Sequence, residues 1–280
     1  MSPTLENLPP LREVIRAHGL AADKRFGQHF LTDPSILGRI AAAGGPLDAG
    51  TVIEVGPGPG GLTRALLAAG TVRLVAIEID PRCAAVAREI AAAADGRLTV
   101  IEGDALDVDP VALGPAPRRI VANLPYNVAT PLLVGWLARV AETPGAIAGM
   151  TLMFQREVAD RLAAPVGGKA YGRLSVLVQW MTKTEKLFDL PAGAFTPPPK
   201  VKSAVVRLTP NPEPPPPALF RAMERVTAAA FGQRRKMLRQ SLKSVPVDLT
   251  GLGIDPTRRA ETLSPEEFER IAAALIAPSG

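Results

Sequence analysis

Four glycines fall within Glu54-Val-Gly-Pro-Gly-Pro-Gly-Gly61, between a β-branched run and an amphipathic helical pattern. Glycine there lets the backbone come close to a ligand and leaves N–H groups at the start of a helix. Gly56, Gly58 and Gly61 fit the GxGxxG spacing of dinucleotide folds, while Gly56, Gly58 and Gly60 fit a GxGxG spacing. Glu78 stands twenty residues after Gly58, at the end of the next apolar run, where a carboxylate can accept both hydroxyls of a ribose. Asp104, in Gly103-Asp-Ala105, closes a third run and has the capacity to accept an adenine amino group, although such an Asp is otherwise a helix cap. The chemistry these features share is binding of an adenosine-containing cofactor.

The GxGxG spacing is the one used with S-adenosylmethionine, and a further element suits methyl transfer. Asn123-Leu-Pro-Tyr126 resembles the (Asn/Asp/Ser)-Pro-Pro-(Tyr/Phe) element of methyltransferases that act on planar amino groups. An exocyclic amine on adenine is a poor nucleophile because its lone pair is delocalised into the ring. Acceptors on its two N–H groups, the Asn123 side-chain oxygen and a backbone carbonyl such as that of Leu124, favour a pyramidal nitrogen aimed at the methyl. Alignment of well-oriented partners can remove roughly 7–11 kcal/mol of barrier, and the proton can leave after transfer, so no strong base is needed. Tyr126 would stack on the base and Phe195 would close its other face; the blander roles are a core Tyr and a loop anchor.

These residues need a scaffold that brings strand ends together. Residues 51–55, 72–79, 98–101 and 119–122 read as buried strands, and 62–69 and 81–94 as helices; a helix near 130–140, a strand near 148–154 and a helix near 156–164 follow. Alternation of this kind predicts parallel pairing with right-handed crossovers, a doubly wound α/β fold. Late strands are expected at 187–190 and 204–208, flanking Phe195-Thr-Pro-Pro-Pro-Lys200. The proline run Pro210–Pro217 reads as a semi-rigid linker, and the chain beyond it as helices, the last opening on the capping box Ser264-Pro-Glu-Glu267. The expected organisation is a 1–23 extension, a 24–210 catalytic domain, a 211–217 linker and a 218–280 helical RNA-binding domain. Lys169–Arg173, basic and glycine-rich, reads as a mobile loop over the site. Cys83, Trp136 and Trp180 read as core.

Six segments in order carry a more specific resemblance: Lys24-Arg-Phe-Gly-Gln-His-Phe-Leu31, the glycine loop, Asn123-Leu-Pro-Tyr-Asn127, Lys169-Ala-Tyr-Gly-Arg-Leu-Ser175, Ala194-Phe-Thr-Pro-Pro-Pro-Lys-Val201 and Phe231-Gly-Gln-Arg-Arg-Lys236. Over nearly the whole chain, from about Lys24 to about residue 275, the sequence is similar to the bacterial small-subunit rRNA adenine N6,N6-dimethyltransferase family. The resemblance implies a Rossmann-like methyltransferase sheet with a small C-terminal helical domain, and S-adenosylmethionine contacts from His29, Leu31, Gly56, Gly58, Glu78, Asp104 and Asn123. It implies that Asn123, Leu124, Tyr126 and Phe195 handle the target adenine. Dimethylation of two adjacent adenosines near the 3′ end of small-subunit rRNA, within an immature 30S-type particle, is the implied activity. His29 departs from the pattern, Asn being commoner after Gln28, which makes its cofactor contact the weakest of the set.

Composition limits the alternatives. The 280 residues are 47% hydrophobic, enough for a substantial core. One cysteine and two histidines cannot build an ordinary zinc site, so no metal is expected. Charge is absent from Ile120 to Ala138, but Asn123, Pro125, Asn127, Thr130 and Pro131 interrupt the stretch, so no membrane span is expected and a cytoplasmic protein is the default; a monomer is expected as well. The net charge of +5 is unevenly spread: residues 200–245 hold ten Lys+Arg against two Glu, leaving the rest with 22 bases and 25 acids. Arg234, Arg235, Lys236 and Arg239 are the candidate RNA contacts, and on one helix Arg235, Arg239 and Lys243 would form a row along phosphates, docked by Leu238 and Leu242. The rival readings are a large-subunit rRNA enzyme, where Asn-Ile-Pro-Phe is the usual form, a DNA adenine methyltransferase with Pro-Pro, a non-catalytic ribosome-assembly or transcription factor, and a nicotinamide dehydrogenase.

Overall fold

The computed structural model describes residues 4–20 and 29–277. The end of the N-terminal extension and the Lys24–Gln28 part of the first motif lie outside them. Contacts divide the chain into two compact units: Met1–Trp136, Gly145–Ala159 and Lys186–Thr209 form the first, and Leu137–Pro144, Asp160–Glu185 and Pro210–Gly280 the second. The chain thus passes to the second unit at Pro210, and that unit also takes in residues 160–185, which the sequence reading gave to the catalytic domain.

In chain order the elements are α1 (Leu11–Ala17), β1 (Phe30–Leu31), α2 (Pro34–Ala43), β2 (Thr51–Val55), α3 (Gly61–Ala68), β3 (Leu74–Glu78), α4 (Pro81–Ala92), β4 (Leu98–Glu102), β5 (Arg118–Asn123), α5 (Ala129–Glu142) and β6 (Gly149–Gln155). Then come α6 (Arg156–Leu162), α7 (Arg173–Met181), β7 (Thr182–Leu190), β8 (Phe195–Thr196), β9 (Ser203–Pro210), α8 (Pro217–Gly232), α9 (Leu238–Ser241) and α10 (Pro265–Ile276). Seven strands form one sheet in the order β4-β3-β2-β5-β6-β9-β7. The pairs β4/β3, β3/β2, β2/β5 and β5/β6 are parallel, and β9 runs antiparallel to β6. Every residue of β2 and β3 is buried, as parallel strands covered on both faces must be. Asp33 and Asp80 cap α2 and α4, each ahead of a proline in the first turn, so the helices restart cleanly after their strands.

The strand order fixes where a ligand can sit. From β2 the chain builds outward through β3 to β4, then returns to place β5 on the other side of β2. Loops leaving β2 and β5 therefore part in opposite directions and open a crevice at the carboxyl edge. Val55, Glu78, Glu102 and Asn123 all end strands on that edge. The N-terminal segment packs on the same unit: Val14 and Leu20 are buried in its core, and the Arg64 guanidinium of α3 donates to Pro9 O at 2.6 Å. Cys83 and Trp136 are buried, as expected of core residues.

The second unit has its own core. Tyr171 is fully buried and donates its hydroxyl to Leu263 O at 3.0 Å, while the Phe231 ring lies 6.3 Å from that of Tyr171 and 5.7 Å from that of Phe268. Ser175, also buried, accepts from Gly172 N and donates to Arg161 O. Tyr171 and Ser175 thus fix this segment to the core of the unit, while Lys169, Ala170 and Arg173 of the expected loop are exposed; the partners of Tyr171 lie far along the sequence. Trp180 is buried and stacks on Phe220. Ser264 and Glu267 form the reciprocal cap that opens α10. Among the described residues no helix is long and apolar enough to cross a membrane.

Candidate active site

A cleft opens at the crevice between the ends of β2 and β5. Gly56, Gly58 and Gly60 all adopt left-handed φ, of 70°, 56° and 84°, which folds the loop back tightly on the strand. A Cβ at Gly58 would stand 3.2 Å from the Phe30 ring, and one at Gly56 3.6 Å from Pro125 Cδ, so the glycine loop lies against the Asn123–Tyr126 tetrapeptide. The loop's amides are already committed. Gly56 N–H donates to Ile77 O, Gly58 N–H to Glu78 Oε2 and Gly60 N–H to Pro57 O; Pro57 and Pro59 have no N–H. From Gly56 to Gly60 nothing remains to cradle a pyrophosphate. Among the described residues the cleft is lined by Glu54, Glu78 and Asp104 and by no Lys or Arg. A dianionic dinucleotide would be repelled, whereas a sulfonium cofactor meets complementary charge.

Glu78 does two jobs from one carboxylate. Its Oε2 accepts from Gly58 N at 3.0 Å and its Oε1 from Asp80 N at 3.0 Å, which locks the carboxylate to both flanking turns. An ionised carboxylate has about four acceptor sites, so two remain for a pair of ribose hydroxyls. Burial raises its pKa and the backbone hydrogen bonds oppose the rise. Asp104 also lines the cleft; its Oδ1 accepts from Leu106 N at 2.9 Å, so it is a cap and a cleft residue at once. Sequence reading missed Glu54. This side chain is buried against the cleft, accepts from Thr63 Oγ at 2.7 Å, and burial pushes its pKa to about 8, with the Glu78 charge adding to the rise. Its alternate position in a strand buried throughout was the signal available.

Asn123 ends β5 and lines the cleft, and the buried Leu124 side chain anchors the tetrapeptide beneath it. Tyr126 lines the cleft with its hydroxyl hydrogen-bonded to Ser203 Oγ at 2.7 Å, which ties the tetrapeptide to the start of β9. Burial raises the phenol's pKa, so the ring is neutral and fit for stacking. His29 and Leu31 also line the cleft; His29 Nδ1 lies 3.0 Å from Pro197 O and its ring centroid 5.9 Å from that of Tyr126. Phe195 does not line the cleft. It is 3% exposed, sits in the core and pairs with Leu31 in the β1/β8 ribbon. This position suits the other role expected of Phe195, a hydrophobic anchor, here for the strand that carries Leu31.

The cation row also takes a different form. Helix α8 ends at Gly232, turns follow, and α9 covers only Leu238–Ser241, so Arg235, Arg239 and Lys243 do not share one helix. Glycine weakens the helix end, and the backbone instead pairs across to 256–259, with Leu238 N donating to Arg258 O and Arg239 N to Pro256 O. Arg234, Arg235, Lys236, Arg239 and Lys243 are exposed, and Leu238 and Leu242 are buried beneath them. Arg234 donates to Lys169 O at 2.6 Å, which makes it an anchor for the core segment.

Comparison with known proteins agrees with this geometry. The family model described as ribosomal RNA adenine dimethylase matches residues 19–277. The ribosomal RNA small subunit methyltransferase A of Rhodospirillum rubrum is 60% identical over 276 residues, covering 97% of this chain and 94% of the relative. The protein of the same name from Azorhizobium caulinodans is 58% identical over 276 residues, again with 97% and 94% covered. Among solved structures, a dimethyladenosine transferase from Plasmodium falciparum matches with a TM-score of 0.72 at 27% identity, over 87% of this chain and 96% of that one. The 23S rRNA methyltransferase ErmE matches with a TM-score of 0.64 at 28% identity, over 88% and 99%.

Proposed function

The chain belongs to the ribosomal RNA adenine dimethylase family, and we propose that its cleft transfers methyl groups from S-adenosylmethionine to adenine N6 of small-subunit ribosomal RNA. The observation that carries this is the contact between the glycine loop and Asn123-Leu-Pro-Tyr126 at the point where the strand order reverses. It sets the cofactor's seat and the seat of a planar amine side by side. Identities of 55–60% to small-subunit enzymes, against 28% to the large-subunit enzyme, favour the small-subunit substrate.

When bound, S-adenosylmethionine supplies a methyl group made electrophilic by its sulfonium. The chain does the rest by placement. Glu78 holds the ribose, Asp104 the adenine amino group, and Gly56, Gly58, His29 and Leu31 bound the cofactor. Asn123 Oδ1 and the Leu124 carbonyl accept from the substrate N6–H groups, and Tyr126 stacks on the base. The N6 lone pair is thereby turned toward the methyl, and the N6 proton leaves afterwards to water. Two rounds on each of two adjacent adenosines near the 3′ end give the full product, in an immature 30S-type particle and in the cytoplasm, with a monomeric enzyme. Arg235, Lys236 and Arg239 contact RNA phosphates.

The substitution Asn123→Ala tests the reading. Transfer should fall on the order of 100- to 1000-fold, as when an aligned polar group is lost from an active site, with the melting curve of the wild type retained. Full activity in a folded variant would remove Asn123 from the chemistry.

A further inference from the structure

We propose that Ser203 is a positioning residue for methyl transfer: its hydroxyl sets the plane and depth of the Tyr126 ring on which the target base stacks, and residues 195–203 are the frame that holds it. The proposal rests on the reading of the chain as an adenine methyltransferase. Its starting point is a hydrogen bond that stacking does not require. A phenyl ring offers a base the same kind of face, yet Tyr126 carries a hydroxyl, and that hydroxyl meets Ser203 Oγ at 2.7 Å across 77 residues of chain. Ser203 is fully buried, whereas Tyr126 is part-buried and lines the cleft, so the bond ties a cleft ring to the interior. A phenol oxygen lies in the plane of its ring. The tether therefore grips the edge and leaves the faces free.

The two partners are held by different means. Tyr126 lies in the turn between β5 and α5, where Val128 N and Ala129 N donate to Pro125 O and so fix the backbone. The χ1 and χ2 angles of the ring retain freedom there unless its far end is tied. Ser203 opens β9 and pairs with Gln155 of β6, and just before it Arg156 N–H donates to Lys202 O at 2.8 Å, so the sheet sets its position. The other end of 195–203 is fixed by Phe195, buried and paired with Leu31. Between these anchors stand Pro197, Pro198 and Pro199, which restrict φ and have no N–H to satisfy, so the span is stiff. It also holds a second cleft ring, with His29 Nδ1 3.0 Å from Pro197 O. None of residues 195–203 lines the cleft, so the segment acts through the rings it holds. A misplacement of about 1 Å can cost on the order of 100-fold in rate, whereas an RNA gripped by its phosphates stays bound when one ring is loosened.

The test is a double-mutant cycle in the full-length chain, with Ser203→Ala, Tyr126→Phe and the two combined, S-adenosylmethionine and unmethylated small ribosomal subunits. Each single change removes the bond and keeps the ring. The single-turnover rate at saturating subunits should fall on the order of tenfold in each, the upper range for one neutral hydrogen bond. The subunit concentration at half-maximal rate and the affinity for cofactor should stay at wild-type values. The combined variant should lose no more than either single one, because the second change has no bond left to break. A Ser203 that merely supported β9 would lower the melting temperature and leave the rate intact. A wild-type rate in a folded single variant, losses that multiply to on the order of 100-fold in the combined one, or weaker subunit binding at an unchanged rate would overturn the proposal. Tyr126→Phe removes the same bond from the cleft side, so it decides the matter even where Ser203→Ala does not fold. Failure of the wild type itself to methylate the subunits would instead overturn the functional reading.

Discussion

The two halves of the sheet's carboxyl edge are made of different materials. On the β4-β3-β2-β5 side the cleft is lined by backbone and buried carboxylates: glycines in left-handed conformations, Glu78 held by two amides, Glu54 buried against Thr63. On the β6-β9-β7 side the edge carries side-chain ion pairs in water, Arg156 and Lys186 with Asp189. A small cofactor that must be held in one pose needs fixed, desolvated partners, whereas a polyanion that must be engaged and moved needs long side chains in water. Asn123 and Tyr126 sit at the seam, in contact with the glycine loop through Pro125 and with β9 through Ser203. The proposed chemistry falls at this seam, where the tetrapeptide touches both the glycine loop and β9.

The sharpest way to separate the halves is Glu78→Ala. Losing acceptors for two ribose hydroxyls, each bond to a charged group contributing about 1.5–3 kcal/mol, should weaken cofactor affinity on the order of 100-fold or more by calorimetry. At saturating cofactor the KM for RNA should not move. A matching loss in RNA affinity would show that the two halves are not independent. A smaller effect is expected from Glu54→Gln. Because burial raises the Glu54 pKa from about 4.5 to about 8, folding favours its protonated form. The stability this contributes is complete below the unfolded value near 4.5 and is lost as pH rises through about 8. Across that window the melting temperature of the glutamine variant should gain on the wild type as pH increases. Parallel curves would mean that Glu54 is ionised in the folded chain.

The placement of the strand-end residues was legible from sequence, and the form of the basic segment was not. The glycine loop, Glu78, Asp104 and Asn123 each follow a short β-branched run, so local pattern alone puts them on one edge once the strands are parallel. Residues whose role depends on distant partners were read less well. Phe195 lies beside a proline run whose local pattern leaves a base face and a loop anchor equally open, and only its distant partner Leu31 shows that it is buried in a strand pair. Tyr171 lies among glycines and charges, yet its partners are Leu263 and Phe231. The Arg235–Lys243 row assumed a helix that stops at Gly232. Of the ten cations counted between 200 and 245, Lys200, Lys202 and Arg207 belong to the first unit, so the basic stretch is shared between two bodies.

The most direct measurement is the position of the transferred methyl. Unmethylated small ribosomal subunits and, separately, large subunits are incubated with the wild-type chain and methyl-labelled S-adenosylmethionine, and the label is mapped by nuclease digestion and mass spectrometry. The account predicts N6,N6-dimethyladenine at two adjacent positions near the 3′ end of small-subunit RNA and none in the large subunit. Label in large-subunit RNA, or no label from a folded chain that binds the cofactor, would contradict it.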